Sequence, residues 1–504
     1  ITHPRTKEGG FWHKKIYTNQ MWLDGLYMGA PFYAEYAMLF HEDTAFNDIA
    51  NQFIWMEKHA RDPKTGLLYH AWDESKEQQW ANKTTGASPL FWARAMGWYS
   101  DALVDALDYF PVNHPKRKAL IDILNRLVNA VEKQQDKTTG LWYDIMNYNG
   151  PGKEKNYFEA SASCQFTYAI AKGVRKGYLP AAKIAIAKKA YEGILKQFIK
   201  EENGQTNLHG TVKVSGLGGK PYRDGSFTYY MSEPVIVNDP KGMGAFLLAS
   251  YEMENVKTQA VGKGKTVLLD RYFNSEKKKD ATGANIYWHY AWEERSHGGF
   301  YTLGNIFENN GAKLASLDVA PTAANLKGAS VYIIVDADHK RDNPNPNYVA
   351  PTDVKAISNW VKAGGTLLIM ANDSNNCDLP HLNLLAGAFG VKFTDKSLNM
   401  VKNDTYEQGV VFPGENNPVF KTTKKMFLKE VSALEIKAPA VANAVKDGDV
   451  IIATAVYGKG KVLIVGDPWL YNEYVDNRKL LPADFQNYKA AEDLVKWLLT
   501  PTKR

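Results

Sequence analysis

The sequence is poor in cysteine, in long apolar runs and in clustered positive charge. Its two cysteines, Cys164 and Cys377, lie far apart in the 504-residue chain, which argues against a disulfide framework and a cysteine-based zinc site. No apolar run reaches the roughly 20 residues that a membrane-spanning helix needs. The formal net charge of +6 is modest, and no basic cluster accompanies a nucleic-acid-binding motif. We therefore expect neither membrane insertion nor nucleic-acid binding, whereas a mild positive field suits an acidic small substrate.

A signal peptide is also missing, and the chain does not begin with methionine. We expect that an N-terminal portion has been removed, and the lack of a signal peptide therefore says little about export. A periplasmic or secreted location is the expectation, and a cytoplasmic one is left open.

Aromatic residues, by contrast, are abundant. They make up 12% of the chain, with 13 Trp and 28 Tyr. Such a surplus suits carbohydrate binding, in which flat sugar faces lie on rings, but it also suits a large packed core. The length predicts about two domains, and we place them at 1–258 and 265–504.

The first half shows apolar residues at helical spacing and little strand-like alternation. Helices are predicted at 20–40, 44–59, 90–109, 115–134, 159–176, 180–198 and 241–253. The loop DPKTGLLYH at 62–70 is echoed by DKTTGLWYD at 136–144, and each lies between two helices. Repeated helix–loop–helix units predict a toroid of helical hairpins whose loops form a common cleft.

The pattern changes after residue 256, where VGKGK at 261–265 is typical of a linker. Apolar segments at 266–269, 331–335, 366–370 and 462–465 alternate with helical patterns at 300–309 and 351–363, and a helix is predicted near 490–499. This alternation predicts a largely parallel α/β sheet. The segment 336–347, rich in Asp, Asn and Pro, is predicted to be a surface loop.

Asp24 is a single carboxylate among apolar and aromatic neighbours on the first predicted helix. Desolvation should raise its pKa, as a proton donor working near neutral pH requires. The alternative is an Asp that caps the helix start. The adjacent loop residues Asp73 and Glu74 are its rivals, although a loop pair more often caps a turn or is solvated.

Several segments together resemble the unsaturated rhamnogalacturonyl hydrolases of glycoside hydrolase family 105. The motifs are EGGFWHKK at 8–15, MWLDGLYM at 21–28, YHAWDES at 69–75, FWARAMGW at 91–98, EAS at 159–161, RDGS at 223–226 and SEP at 232–234. The resemblance covers about residues 3–255 and implies an (α/α)6 barrel. That barrel needs twelve helices, so we expect this chain to lack N-terminal ones.

The resemblance also implies functional residues. Asp24 corresponds to the catalytic acid/base, and the residues implied to line the subsite for the unsaturated sugar are His13, His70, Trp92, Arg94 and Trp98. Structural roles are the alternatives. Either histidine could be a core residue that backbone groups satisfy by hydrogen bonds, and either tryptophan could belong to the core. Arg94 could pair with a helix carboxylate such as Asp101 instead of a uronate.

The implied reaction is hydrolysis of an unsaturated (Δ4,5) uronic acid at the non-reducing end of lyase-generated pectic or other acidic oligosaccharides. Protonation of the C4=C5 vinyl ether and hydration at C5 need one carboxyl group rather than a pair at the anomeric carbon. No metal or cofactor is implied. A non-catalytic protein that binds acidic carbohydrate, and a conventional inverting glycosidase on the same barrel, are the alternatives.

The second half resembles, more weakly, the flavodoxin-like fold of class I glutamine amidotransferases. The resemblance depends on 331–336 and on GGTLLIM at 364–370. An amidotransferase needs a cysteine at a tight turn directly after a strand, whereas Cys377 follows that strand too late. We expect this domain to be non-catalytic, and the sequence leaves the oligomeric state open.

Overall fold

The computed structural model describes residues 2–258, 261–280, 282–476 and 478–502. The chain folds into two compact units, Ile1–Val256 and Lys257–Arg504. The division falls just before the glycine-rich segment 261–265 in which the sequence predicts a linker. Each unit is described by itself below.

The first unit is helical in its described residues, and short strands join its loops. The helices are α1 (Leu23–Leu39), α2 (Ala45–Ala60), α3 (Ala93–Ala106), α4 (Arg117–Glu132), α5 (Ala160–Arg175), α6 (Ile184–Gln197), α7 (Phe227–Ser232) and α8 (Pro240–Thr258). The strands are β1 (Gln20–Trp22), β2 (Ala71–Asp73), β3 (Phe91–Trp92), β4 (Ile145–Met146), β5 (Ile199–Glu202), β6 (Gln205–Leu208), β7 (Thr211–Val212) and β8 (Val235–Ile236). All seven predicted helices are confirmed, and α7 is an addition.

These helices form two layers of an α/α barrel. Helices α1, α3 and α5 pack side by side as an inner row, and α2, α4 and α6 lie against them as an outer row. The outer helices are amphipathic because only one side of each faces the inner row: Leu120, Ile123, Leu124 and Leu127 of α4 recur at helical spacing and are all buried. Consecutive inner helices therefore run in the same direction, and their N-termini collect at one end of the barrel.

The loop repeat seen in the sequence is also a repeat of structure. Asp62 accepts a hydrogen bond from the Thr65 backbone N–H at 2.9 Å, and Asp136 accepts one from the Thr139 N–H at 2.7 Å. The glycine that follows each threonine has a positive φ, +77° and +76°, which a side chain would strain. Both turns lead the chain back to the barrel end that carries the inner-helix N-termini.

The second unit contains one large sheet with helices beside it. Its strands are β9 (Thr266–Asp270), β10 (Lys277–Lys279), β11 (Asn285–Tyr287), β12 (Lys313–Leu317), β13 (Val331–Val335), β14 (Thr366–Met370), β15 (Val391–Leu398), β16 (Val410–Val411), β17 (Met426–Phe427), β18 (Val431–Ile436), β19 (Ala440–Lys446), β20 (Asp449–Tyr457) and β21 (Gly460–Val465). Its helices are α9 (Tyr301–Asn309), α10 (Ala323–Leu326), α11 (Pro351–Ala363), α12 (Leu379–Gly387), α13 (Asn472–Val475) and α14 (Asn487–Leu499).

The large sheet has a parallel half and an antiparallel half. Its strand order is β12-β9-β13-β14-β21-β20-β18-β15, and β19 pairs with β20. The five strands from β12 to β21 are parallel, and the pairs beyond β21 are antiparallel. The predicted parallel strands are present, but "largely parallel" overstates their share, because the segment between β14 and β21 carries further strands that the sequence analysis did not identify.

The surface loop predicted at 336–347 is confirmed from residue 339 onward, where the chain is exposed or partly exposed and forms neither helix nor strand. Its start differs, because Asp336 is 6% exposed and Asp338 is 2% exposed. Their polarity suggested the surface, but they directly follow the buried strand β13 and are held by hydrogen bonds from neighbouring loops.

Among the described residues, no helix is both long enough and apolar enough to cross a membrane.

Candidate active site

The inner helices begin in the same way, and this places their first residues together. Each starts directly after an extended residue, namely Trp22, Trp92 or Glu159. The second residue of each helix is Asp24 in α1, Arg94 in α3 and Ser161 in α5. The repeated loops fix these starts, because the Leu23 N–H donates to the His70 carbonyl and the Ala93 N–H donates to the Asp144 carbonyl.

Asp24, His70 and Tyr230 form a chain of polar contacts at this end of the barrel. The Asp24 Oδ2 atom lies 3.2 Å from His70 Nε2. The other ring nitrogen, His70 Nδ1, lies 2.8 Å from the Tyr230 hydroxyl. The His70 side chain is fully enclosed, whereas 16% of the Asp24 side chain is exposed, so a ligand arriving from solvent meets the carboxyl group first.

His13 is close enough to Asp24 for the two side chains to interact electrostatically. Its ring stacks on Trp22, with centroids 4.4 Å apart and planes 1° apart. Burial lowers the pKa of His13 from 6.5 to about 4, so its imidazole is neutral at pH 7. Gly25 makes room for it, since a Cβ atom at that position would lie 3.0 Å from His13 Nδ1.

Three polar atoms at this place are buried without a hydrogen-bond partner. They are Asp24 Oδ2, His70 Nε2 and His13 Nδ1; the Asp24–His70 contact is close enough for an ion pair but lacks hydrogen-bond geometry. Buried polar groups in native proteins are nearly always paired. A group of unpaired atoms around one carboxylate is therefore expected where a ligand supplies the missing partners.

The predicted raised pKa of Asp24 is wrong. Burial alone does raise it, but interaction with the His70 imidazole, and a smaller contribution from His13, bring the pKa below its ordinary value. The sequence places Asp24 among apolar neighbours and gives no sign that an imidazole from a distant loop contacts it. Asp24 is therefore not a lone desolvated carboxyl group, because the His70 imidazole favours its ionised form.

Arg94 does not face the cleft. It is 1% exposed, and its guanidinium donates to Glu159 Oε1 at 3.0 Å, to Ser161 Oγ at 2.7 Å and to the Val212 carbonyl. Its partner is Glu159 and not Asp101. The geometry favours a role in bracing α3 against α5, and contact with a sugar carboxylate stays a prediction from the family resemblance.

The two predicted tryptophans have different surroundings. Trp92 is 2% exposed; its ring lies 4.7 Å from the His70 ring, and its Nε1–H donates to Asp144 at 2.9 Å. Trp98 is half-buried on α3 and stacks with Tyr27 of α1 at 4.5 Å. Trp92 thus supports His70 from behind, and Trp98 keeps an accessible ring one turn farther along the helix.

Sequence reasoning missed Tyr230 and Asp144. Tyr230 lies within the region of the family motifs at 223–234, but nothing local distinguishes it from Tyr229. Asp144 had a usable signal, because it occupies the same place in its loop as His70 does in the first copy of the repeat. The rival carboxylate Asp73 instead accepts hydrogen bonds from Ser75 and Gln78 within its own loop, as a turn-capping residue does.

The chain is similar to proteins that act on carbohydrates. The family model described as Glycosyl Hydrolase Family 88 matches residues 1–257. Protein Atu3128 of Agrobacterium fabrum is 36% identical over 232 residues, which cover 45% of this chain and 97% of that protein. The unsaturated rhamnogalacturonyl hydrolase YesR of Bacillus subtilis is 29% identical over 172 residues, covering 33% of this chain and 46% of YesR. The match thus spans less than half the length of that curated relative.

One solved structure is also similar in sequence. It is a glycoside hydrolase from family 105 of C. acetobutylicum, and it is 55% identical to this chain. The match covers 50% of this chain and 70% of that chain, with a TM-score of 0.49. The family model matches the first half of the chain. The amidotransferase-like character expected of the second half stays a prediction.

Proposed function

Because the chain belongs to glycosyl hydrolase family 88, we propose that it removes an unsaturated uronic acid from the non-reducing end of acidic oligosaccharides produced by polysaccharide lyases. The name of YesR, an unsaturated rhamnogalacturonyl hydrolase, supports this substrate class. The proposal includes pectic oligosaccharides and leaves the neighbouring sugar undefined.

The observation that carries the proposal is the set of unpaired buried atoms around Asp24. An enzyme that protonates a carbon atom needs an acid that comes within reach of that atom. Asp24 meets this need, since 16% of its side chain is exposed while its Oδ2 atom is buried 3.2 Å from His70 Nε2. The enclosed space beside His13 holds about 40 Å³, little more than the roughly 30 Å³ of one water molecule, so the sugar would bind on the solvent side of Asp24.

The proposed chemistry uses one carboxyl group twice. In its protonated form Asp24 donates its proton to C4 of the C4=C5 double bond, where that proton stays, and the positive charge that forms at C5 is shared with the ring oxygen. The Asp24 carboxylate then accepts a proton from the water that attacks C5. The resulting hemiketal opens, releases the rest of the saccharide and leaves a keto sugar acid.

The Tyr230 hydroxyl determines which ring nitrogen of His70 carries the proton. Burial holds the pKa of Tyr230 well above its ordinary value, so the hydroxyl stays protonated and can donate to His70 Nδ1. The proton of a neutral His70 then resides on Nε2, which points at Asp24. Fixing the tautomer through the remote nitrogen is a common device in histidine catalysis.

The test is loss of the double bond, followed by ultraviolet absorbance, with a lyase-generated unsaturated disaccharide as substrate. Wild-type protein should consume the substrate, and Asp24→Asn should reduce the rate at least a thousandfold while leaving the fold intact. Asp122→Asn, which removes an exposed carboxylate from α4, is the matched control and should retain full activity.

Two outcomes would contradict the proposal. Full activity in Asp24→Asn would remove this residue from the mechanism. Calorimetric binding of the disaccharide by wild-type protein without turnover would instead identify a protein that binds acidic carbohydrate.

A further inference from the structure

We propose that the second unit carries a binding site for a neutral saccharide, in the cavity at the carboxyl ends of strands β9, β12 and β13. The site lies outside the hydrolase half of the chain. The inference therefore does not depend on the reaction proposed for Asp24.

The strand order places this cavity where ligands commonly bind. The chain leaves β9 through α9 to reach β12 on one side, whereas it leaves β13 through α11 to reach β14 on the other side. The connections that follow the neighbouring strands β9 and β13 thus run in opposite directions, and their loops separate at the carboxyl ends of these strands. In open α/β sheets the crevice at such a point is the usual ligand site.

The cavity has the size of a small-ligand pocket and an unusually polar wall. Its volume is about 460 Å³, within the roughly 300–1,000 Å³ typical of ligand pockets. Most pockets of this size are lined by apolar side chains. Here the loop after β9 contributes Ser275 and Glu276, the end of β12 contributes Asp318, and the loop after β13 contributes Asn343 and Asn345. Alternating amide and carboxylate groups suit a ligand covered with hydroxyl groups.

A buried carboxylate holds one wall in place. Asp338 Oδ2 accepts hydrogen bonds from the Ser275 N–H at 3.0 Å and from Asn343 Nδ2 at 2.6 Å. Asp338 is only 2% exposed and does not itself line the cavity. Its part is to fix the positions of Ser275 and Asn343, which do line it.

Charges of both signs are mixed around the cavity. Asp318 lies 2.8 Å from Arg271, Asp342 lies 3.3 Å from Arg341, and Glu276 lies 3.3 Å from His289. Lys277 also lines the cavity, and its ammonium group lies 4.9 Å from the centre of the Tyr287 ring. Because the positive and negative groups nearly cancel, the lining favours a neutral sugar over a strongly charged ligand.

An aromatic ring completes the wall. The Arg271 guanidinium lies 4.2 Å from the centre of the Tyr287 ring, and both side chains line the cavity. The ring adds an apolar area to a wall that is otherwise polar. Surfaces of this kind are suited to the faces of pyranose rings, which combine C–H groups with hydroxyl groups.

The test is affinity electrophoresis of the full-length chain in native gels that contain a polysaccharide. The neutral probes are galactan, arabinan and dextran, and polygalacturonate is the acidic comparison. The Asp24→Asn background prevents any turnover at the first site from changing the gel. We expect retarded migration with at least one neutral polymer, at a concentration that has no effect when polygalacturonate is used.

The variant that tests the cavity is Asn345→Ala, because no hydrogen bond to the Asn345 side chain occurs within the described residues and its loss should not disturb the loop. It should weaken retardation at least fivefold. Asn359→Ala is the matched control on the exposed face of α11, beside the amino ends of the parallel strands, and should migrate as wild type. Equal retardation of both variants, or no retardation by any neutral polymer, would overturn the inference.

Discussion

Replacing Asp144 by Asn should flatten the pH dependence of stability of the first domain. Asp144 is fully enclosed, and burial, with a contribution from nearby Glu159, raises its pKa to about 8. In the unfolded chain its pKa returns to about 4. The folded state therefore holds the Asp144 proton more tightly, and its stability falls as the pH rises from about 4 to about 8.

The magnitude follows from the size of the pKa change. One pKa unit corresponds to about 1.4 kcal/mol, so between pH 5 and pH 8 this residue alone should cost the folded state about 4 kcal/mol. The asparagine of the variant keeps an oxygen that can accept the Trp92 Nε1–H but has no proton to lose. The wild type should therefore lose about 4 kcal/mol more than Asp144→Asn over this pH range.

Hydrogen-exchange mass spectrometry in graded urea measures the unfolding free energy of each domain from its own peptides, which a two-domain chain requires. Asp136→Asn is the control, because hydrogen bonds from Thr139 lower the pKa of Asp136, so that it titrates below pH 5. Its pH slope should match that of the wild type. An Asp144→Asn slope equal to the wild-type slope would mean that Asp144 is already ionised at pH 5, and that burial does not control its pKa.

Two further predictions concern the residues around Asp24. Tyr230→Phe removes the hydroxyl that orients His70 and should lower kcat about tenfold to a hundredfold with little change in KM; steady-state kinetics that give an unchanged kcat would contradict the tautomer role. Gly25→Ala places a methyl group 3.0 Å from His13 Nδ1 and should lower kcat/KM at least tenfold, whereas Gly29→Ala on the same helix meets no atom within 4 Å and should leave activity intact. Equal activity in the two alanine variants would show that the position of His13 is unimportant.

Helices and repeats could be predicted from the sequence because their signals are local. The apolar spacing that marks α4 depends only on residues within the helix, and the aspartate–threonine–glycine turns recur with the same φ at Gly66 and Gly140. The family motifs likewise identified Asp24 and His70 from short stretches of chain. Each of these inferences needed only neighbouring residues.

The errors arose where contacts join distant parts of the chain. The pKa direction of Asp24 depends on His70, and the burial of Asp336 depends on its position at the end of a central strand. Two hairpins were missed although their signal is local. Asp447-Gly448 joins β19 to β20, and Gly458-Lys459 joins β20 to β21. The ion pair of Arg94 with Glu159 gave no local signal either, because Glu159 lies at the start of another helix.

The shared starting geometry of the inner helices has a consequence for how this protein can change. The second residue of each inner helix occupies an equivalent position in the barrel, but its environment differs. The Asp24 side chain is 16% exposed, whereas the Arg94 side chain is buried in an ion pair with Glu159. Leaving a buried charge without its partner typically costs about 3–5 kcal/mol, so position 94 is tied to the survival of the fold. Position 24 carries no such duty and is free to adopt new reactivity at little structural risk.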